Sequence, residues 1–85
     1  MSKSANRDAI IDRLVELIQK ERLRQKLSLK EVASRSGLDH TMVMRVEKRE
    51  RLPTIDTLLR ISEALDIRLS KLLASAERSA KRTKR

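Results

Sequence analysis

The stretch from Ser28 to Glu47, SLKEVASRSGLDHTMVMRVE, decides how this chain folds. Ser28 and Glu31 are the reciprocal pair that begins a helix, because each side chain satisfies a backbone N–H group of the other residue. Gly37 is the only glycine in the chain, and it stands where a helix must end and the backbone favours a positive φ. Asp39 then predicts the N-cap of a second helix. The stretch therefore predicts two short helices joined by a sharp turn.

Apolar residues fall at helical spacing on both sides of that turn. Leu29, Val32 and Ala33 line the first of the two helices, and Val43 and Val46 line the second. The small side chain of Ala33 allows the helices to cross closely, so that both apolar faces are buried together. This is the sequence pattern of a helix-turn-helix motif.

A longer helix is predicted before this stretch, from Asn6, which is placed as its N-cap, to about Gln25. Residues 1–6 are then a flexible lead-in. Val15 makes the apolar stripe of this helix wider than one neighbouring helix needs, so the helix is expected to contact the last helix or a second subunit as well. The stripe itself consists of Ile10, Ile11, Leu14, Leu17 and Ile18.

Two more helices are predicted after the quoted stretch. Pro53 keeps the residue before it extended, and Thr54 caps a fourth helix. Asp66 takes the next turn, and Ser70 caps a last helix whose apolar pattern fades from Ala74. No strand pattern appears, so we expect an all-α, compact five-helix bundle. The apolar residues of the last two helices are Ile55, Leu58, Ile61, Ala64, Leu65, Leu72 and Leu73.

The composition limits the size of the core and the cellular compartment. At 85 residues the chain suits one small domain, and without Phe, Tyr or Trp its core must be aliphatic. Such a core is modest, so dimerisation would add stability. The absence of cysteine excludes disulfides, thiolate metal sites and cysteine nucleophiles. With no signal-peptide pattern and no apolar run that could span a bilayer, we expect a cytoplasmic protein without a membrane partner.

The charge points to a polyanion as the partner. A small domain with a net charge of +9 and a pI of about 10.9 favours nucleic acid, and a well-solvated surface is the alternative. The predicted domain spans residues 7–76, and the basic tail at 77–85 contributes +4, from five basic residues and Glu77. This tail either follows a DNA backbone or is a disordered, solubilising end. No catalytic constellation or nucleotide-binding loop appears, so we expect no enzyme and no cofactor.

The residues from about Leu14 to Leu73 resemble, without a gap, the Cro/C1-type (XRE) helix-turn-helix regulators, a family that includes the phage repressors. The resemblance rests on LSLKEVASRSGL, on RVE at the end of the third helix, and on LPTIDTLLRISEALDIRLSKLL. It implies a lambda-repressor-like bundle in which helices 2 and 3 form the motif. It also implies double-stranded DNA as the partner and no small-molecule ligand.

The resemblance further implies that the third helix, from about His40 to Lys48, lies in the major groove. Arg45 is the first choice for base readout, because its planar fork can bond to guanine O6 and N7 together. Met44 suits a thymine methyl group. For His40, an exposed position without a contact is the alternative. The complete set of base-readout candidates is His40, Thr41, Met44 and Arg45.

Phosphate contacts are implied at two places. At the start of the second helix, backbone N–H groups and the helix dipole would meet a phosphate, assisted by Ser28 and Lys30. Leu29 stands here where phage repressors often carry glutamine, so the backbone contact remains but a side-chain clamp does not. At the end of the third helix and in the loop after it, Lys48 and Arg51 are the candidates.

Four other residues have structural roles in this comparison. Lys26 and Arg49 replace glycines of many relatives, so their turns are expected to be strained or to have a different shape. Arg22 and Glu47 match a partly buried ion pair that in relatives joins the first and third helices. We interpret this pair as structural, since a buried carboxylate needs such a partner.

Dimerisation is expected because a helix-turn-helix monomer reads too few base pairs for useful specificity. The residues near the last turn are mainly core, and some of them are candidates for a two-fold interface: Ile67, Leu69, Leu72 and Leu73. The leading hypothesis is a sequence-specific transcription regulator, a repressor or a controller protein similar to those of restriction–modification systems, bound to a palindromic operator as a homodimer. The alternative is an antitoxin that binds a toxin protein and regulates its own operon, and a non-specific nucleoid binder is the third hypothesis.

Overall fold

The computed structural model describes residues 3–83, and over that range five α-helices follow one another. This all-α bundle confirms the predicted fold class. Within the described range, no helix is both long enough and apolar enough to cross a membrane. The helices are α1 (Lys3–Arg24), α2 (Leu29–Ser36), α3 (His40–Glu47), α4 (Ile55–Ala64) and α5 (Leu69–Thr83).

The residues predicted to begin and end α2 and α3 do so. The Ser28 hydroxyl accepts the Glu31 N–H at 3.0 Å, and the Glu31 carboxylate accepts the Ser28 N–H at 2.8 Å. Gly37 ends α2 with a φ of 72°. Asp39 begins α3 by accepting the Thr41 N–H at 2.9 Å. These local interactions leave only residues 37–39 between α2 and α3, which form the predicted helix-turn-helix.

The core lies between the two motif helices and their neighbours. α2 packs against α3 and α4, while α1 packs against α3 and runs along α5. The side chains at the centre come from four different helices and the residue that ends α4, so no helix buries its apolar face alone. The largest of them are Ile18, Ile61, Leu65, Val32, Val43 and Val46, each less than 2% exposed.

α1 begins earlier than predicted. Its helical backbone starts at Lys3, so Asn6 lies within the helix and is not its N-cap. Part of the predicted lead-in at residues 1–6 is therefore helical. Val15 is 3% exposed, and the wide apolar stripe of α1 packs along α5, the first of the two partners expected for it. The prediction of Asn6 as the N-cap is therefore wrong, since the helix starts three residues before it.

α5 also differs from its predicted limits. It begins at Leu69, so Ser70 lies in its first turn and is not its N-cap, and it continues through most of the segment predicted as a tail. Ala76 and Ala80 are 0% and 3% exposed. Their small side chains allow close approach to a neighbouring helix, and alanine is the best helix former. Burial in α5 therefore extends past Ala74, where the large apolar residues end.

Three turns use a left-handed backbone at residues other than glycine. Lys26, Arg49 and Asp66 have φ values of 59°, 61° and 57°. Lys26 and Arg49 thus adopt the conformation typical of the glycines that they replace, so these turns are strained. A left-handed residue with a Cβ costs about 1–2 kcal/mol. Asp66 takes the turn predicted for it and tolerates this conformation better, because its short polar side chain can hydrogen-bond locally.

The end of α1 is tied to the end of α4 through Gln25. Its side-chain amide donates to the Leu65 carbonyl and to the Glu21 carboxylate, both at 2.7 Å. Hydrogen bonds from Arg24 and Gln25 lower the pKa of Glu21 from 4.5 to about 2. Because folding favours the carboxylate, its contribution to stability is present above pH 4.5 and is lost as the pH falls towards 2.

Replacing Ala80 by Asp tests whether the end of α5 belongs to the folded unit. The Ala80 side chain is 3% exposed, so Ala80→Asp would bury an unpaired charge and lower the free energy of unfolding by about 3 kcal/mol. Ala74 is exposed on the same helix, and Ala74→Asp should change that free energy by less than about 0.5 kcal/mol. Urea unfolding followed by circular dichroism measures both variants. Equal stability would contradict the burial of Ala80.

Candidate nucleic-acid interface

α3 has one face in the core and the opposite face towards solvent. Val43 and Val46 are fully buried, and Met42 packs against the core beside them. On the other side, His40 and Arg45 are exposed. The two remaining base-readout candidates are half-buried and lie between these exposed residues on the helix surface. Helical spacing therefore brings together all four candidates, His40, Thr41, Met44 and Arg45.

The start of α2 offers backbone donors beside charged side chains. The capping pair already uses the N–H groups of Ser28 and Glu31, so Leu29 and Lys30 carry the remaining N–H groups of the first turn. The Leu29 side chain packs partly against the core, whereas Lys30 is exposed. The hydrogen bond from the Ser28 backbone lowers the pKa of Glu31. The negatively charged Glu31 carboxylate therefore lies next to the N–H groups of Leu29 and Lys30, and the Lys30 side chain supplies a positive charge beside it.

The loop after α3 carries basic side chains in two environments. Lys48 and Arg51 are exposed. Arg49 is instead paired with Asp12 of α1, with Nε 2.5 Å from Oδ1. This pair fastens the loop to α1 and places a carboxylate against Arg49. Lys48 and Arg51 are thus the loop cations best placed to meet an anion in solvent.

Arg22 and Glu47 form a bidentate ion pair between α1 and the last residue of α3. Arg22 Nε lies 2.7 Å from Glu47 Oε2, and Nη2 lies 3.0 Å from Oε1. The third nitrogen, Nη1, donates to the Leu27 carbonyl at 2.8 Å. The two side chains are only 11% and 5% exposed. A single arginine therefore joins α1, the turn before α2 and the end of α3.

Residues 18–72 match a protein-family model described as helix-turn-helix. The matched range contains the motif helices, the Arg22–Glu47 pair, all of α4 and the start of α5. The chain belongs to the Cro/C1-type (XRE) helix-turn-helix family. It is therefore a DNA-binding transcription regulator. No curated protein and no solved structure matched the chain.

A second surface of this Cro/C1-type regulator is apolar. Ile67, Leu69 and Leu73 are half-buried, and together with Leu59 they line one open groove between α4 and α5. Leu72 is 4% exposed and lies in the core. Leu72 therefore has almost no area to offer a partner, and the two-fold interface itself stays a prediction. The other three candidates lie at the surface of the groove.

Three large apolar residues, in the loop before α4 and on α4 itself, are exposed and were not among the candidates. Leu52, Ile55 and Leu59 are 66%, 65% and 45% exposed. Ile55 fits the core pattern because it lies three residues before the buried Leu58, but it occupies the first position of α4, beyond the edge of the core. The sequence could have indicated this surface through the width of the apolar stripe of α4, because Leu59 adds an apolar position that the core face of the helix does not need.

Removing the Glu47 carboxylate tests how strongly the ion pair stabilises the fold. Glu47→Ala would leave the Arg22 guanidinium, 11% exposed, without its counter-charge, so we expect a loss of about 3 kcal/mol in the free energy of unfolding. Glu16→Ala is the matched control, because Glu16 is 62% exposed in its pair with Arg13 and should contribute less than about 1 kcal/mol. Urea denaturation compares the two. Similar losses in both variants would mean that the Arg22–Glu47 pair is no stronger than a surface pair.

Proposed function

We propose that this regulator is a sequence-specific homodimer that reads a palindromic operator with the exposed face of α3 and acts as a repressor or a controller protein. The division of α3 into two faces carries the proposal. Val43 and Val46 hold the helix against the core, so His40 and Arg45 can meet base edges without any loss of packing. A major groove admits one α-helix and displays a distinct pattern of donors and acceptors for each base pair.

Each candidate on α3 suits a different contact. Arg45 would donate two parallel hydrogen bonds to a guanine, and Met44 would pack on a thymine methyl group. Thr41 would act through its hydroxyl, because its N–H is already held by the Asp39 carboxylate. His40, at the first position of α3, would reach either a base edge or a phosphate.

Phosphate contacts on both sides of α3 would fix its register in the groove. At the start of α2, the N–H groups of Leu29 and Lys30 and the hydroxyl of Ser28 would hold one phosphate, and the Lys30 side chain would offset the Glu31 carboxylate. After α3, Lys48 and Arg51 would hold another. Such contacts carry no sequence information, so they would supply affinity and orientation while α3 supplies specificity.

The apolar surface on α4 and α5 supports the homodimer. Its exposed members are Ile55 and Leu59 of α4, and the groove residues Ile67, Leu69 and Leu73 continue it from Leu59. Residues 54–76 contain three basic and three acidic side chains, so their net charge is zero while the whole chain carries +9. Two copies can therefore approach through this surface without net repulsion.

An in vitro selection of bound DNA tests base readout. Wild-type protein should enrich a palindrome with half-site centres about 10 base pairs apart. Arg45→Ala should lose preference at one base pair per half-site, by about 1–3 kcal/mol. Lys48→Ala is the control for a phosphate contact: it should weaken binding to all sequences and reduce the log–log salt slope by about 0.9.

Two outcomes of the selection would count against the proposal. If wild-type protein enriches no motif, it is a non-specific binder. If Arg45→Ala keeps the wild-type preference at every position, Arg45 does not read a base.

Sedimentation equilibrium at micromolar concentration tests the homodimer. Wild-type protein should sediment as a dimer, and Ile55→Asp should be a monomer, because a charge on the apolar surface would be buried by a second copy. Ile55 is 65% exposed, so the thermal midpoint should stay close to that of the wild type. Leu23→Asp is the matched control, since Leu23 is 57% exposed on α1 and does not line the groove.

A wild-type monomer, both with and without operator DNA, would overturn the homodimer. A stoichiometric protein encoded beside the regulator that co-purifies with it, and that Ile55→Asp releases, would favour the antitoxin instead.

A further inference from the structure

Arg60 of α4 reaches across to the end of α2. Its Nε donates to the Asp56 carboxylate at 2.8 Å, and its Nη1 donates to the Ser36 carbonyl at 3.2 Å. Asp56 lies one turn earlier on α4, in the first turn of that helix, where a carboxylate is stabilised by the helix dipole. Asp56 therefore holds the Arg60 guanidinium from within α4 while the guanidinium contacts the end of α2.

The carbonyl that Arg60 contacts is one that the helix itself cannot satisfy. Ser36 is the last residue of α2, and the final carbonyls of a helix have no intrahelical donor. The Ala33 carbonyl already accepts the Leu38 N–H at 3.0 Å and the Ser36 hydroxyl at 3.1 Å. Arg60 supplies a donor for the Ser36 carbonyl and a positive charge at the negative end of the α2 dipole.

Gly37 is matched to this contact in two ways. Its φ of +72° favours glycine, and a Cβ at this position would lie only 3.1 Å from Arg60 Nη1. The glycine therefore leaves the space that the guanidinium occupies. Arg60 and Gly37 together define the turn from which α3 starts three residues later.

We propose that Arg60 is a positioning residue for DNA recognition, which fixes the start of α3 through the turn while Arg22 fixes its end. This inference rests on the proposed function, because it concerns the same reading face. Glu47, held by Arg22, is the last residue of α3, and the turn held by Arg60 directly precedes the first residue. The two arginines come from α1 and α4, so the direction of α3 is set from both sides of the motif.

Binding to the selected operator and to a non-specific duplex of equal length tests the inference. Arg60→Ala should bind the operator about 10-fold more weakly, the effect of losing one hydrogen bond from a charged donor. Its binding to the non-specific duplex should match that of Lys20→Ala, which removes the same charge from an exposed position on α1. Arg60→Lys should recover part of the loss, because one ammonium group keeps the charge but lacks the fork that reaches Asp56 and Ser36 together. If Arg60→Ala and Lys20→Ala bind the operator equally, Arg60 does not position α3.

Amide hydrogen exchange on the free protein gives a second readout that needs no DNA. The Leu38 N–H bonds to the Ala33 carbonyl across the turn, and the Leu27 N–H bonds to the Arg22 carbonyl in a turn away from Arg60. Arg60→Ala should accelerate exchange at Leu38 and leave Leu27 at the wild-type rate. Equal acceleration at both amides would indicate general destabilisation and overturn the inference. If the wild type selects no operator while only Leu38 exchange rises, the proposed function fails but Arg60 still fixes the turn.

Discussion

The placement of α3 depends on the ion pair between Arg22 and Glu47. Glu47 is the last residue of α3, where a negative charge opposes the helix dipole, and its side chain is 5% exposed. A carboxylate in that position is stable only with a partner that returns most of its lost hydration. Arg22 does this with two hydrogen bonds, and its third nitrogen satisfies the Leu27 carbonyl. A lysine could not make these contacts at once, because its ammonium is a single point of charge.

α3 needs such external support because it is short. Its eight residues are fewer than an isolated helix needs to be stable in water. Its position therefore comes from tertiary contacts: Val43 and Val46 bury one face, and the ion pair holds the far end. The pair between Arg49 and Asp12 then fixes the loop that follows. None of these contacts uses the outer face of α3, so the candidate residues for DNA are not needed to hold the helix in place.

The parts of the fold that were predictable from sequence depend on local interactions. The Ser28–Glu31 pair, the turn at Gly37 and the cap at Asp39 each join residues at most three positions apart, so they are visible as short patterns. The family resemblance added the Arg22–Glu47 pair, whose members are 25 residues apart. Base-readout and phosphate roles stay predictions, since they concern DNA.

The features that could not be predicted depend on the folded arrangement. No local pattern signals that Arg60 would meet the Ser36 carbonyl, 24 residues away, or that Arg49 would pair with Asp12. The extension of α5 depends on Ala76 and Ala80, which are small enough to pack closely but do not produce a strong apolar stripe. Ile55 matches the core period and is still exposed, because it is the first residue of α4 and lies beyond the edge of the core.

α4 connects the two surfaces on which the proposed mechanism depends. Leu59 and Arg60 are consecutive, so their side chains point about 100° apart around the helix: Leu59 towards the apolar surface proposed for a second copy, and Arg60 towards the turn before α3. In each copy, α4 would then link the two-fold axis of the dimer to the recognition helix of that copy. The spacing between half-sites would follow from this rigid arrangement. The charges agree with this division. Residues 54–76 carry no net charge, so the entire excess of +9 lies on the rest of the chain, where it can attract DNA without opposing the association of two copies.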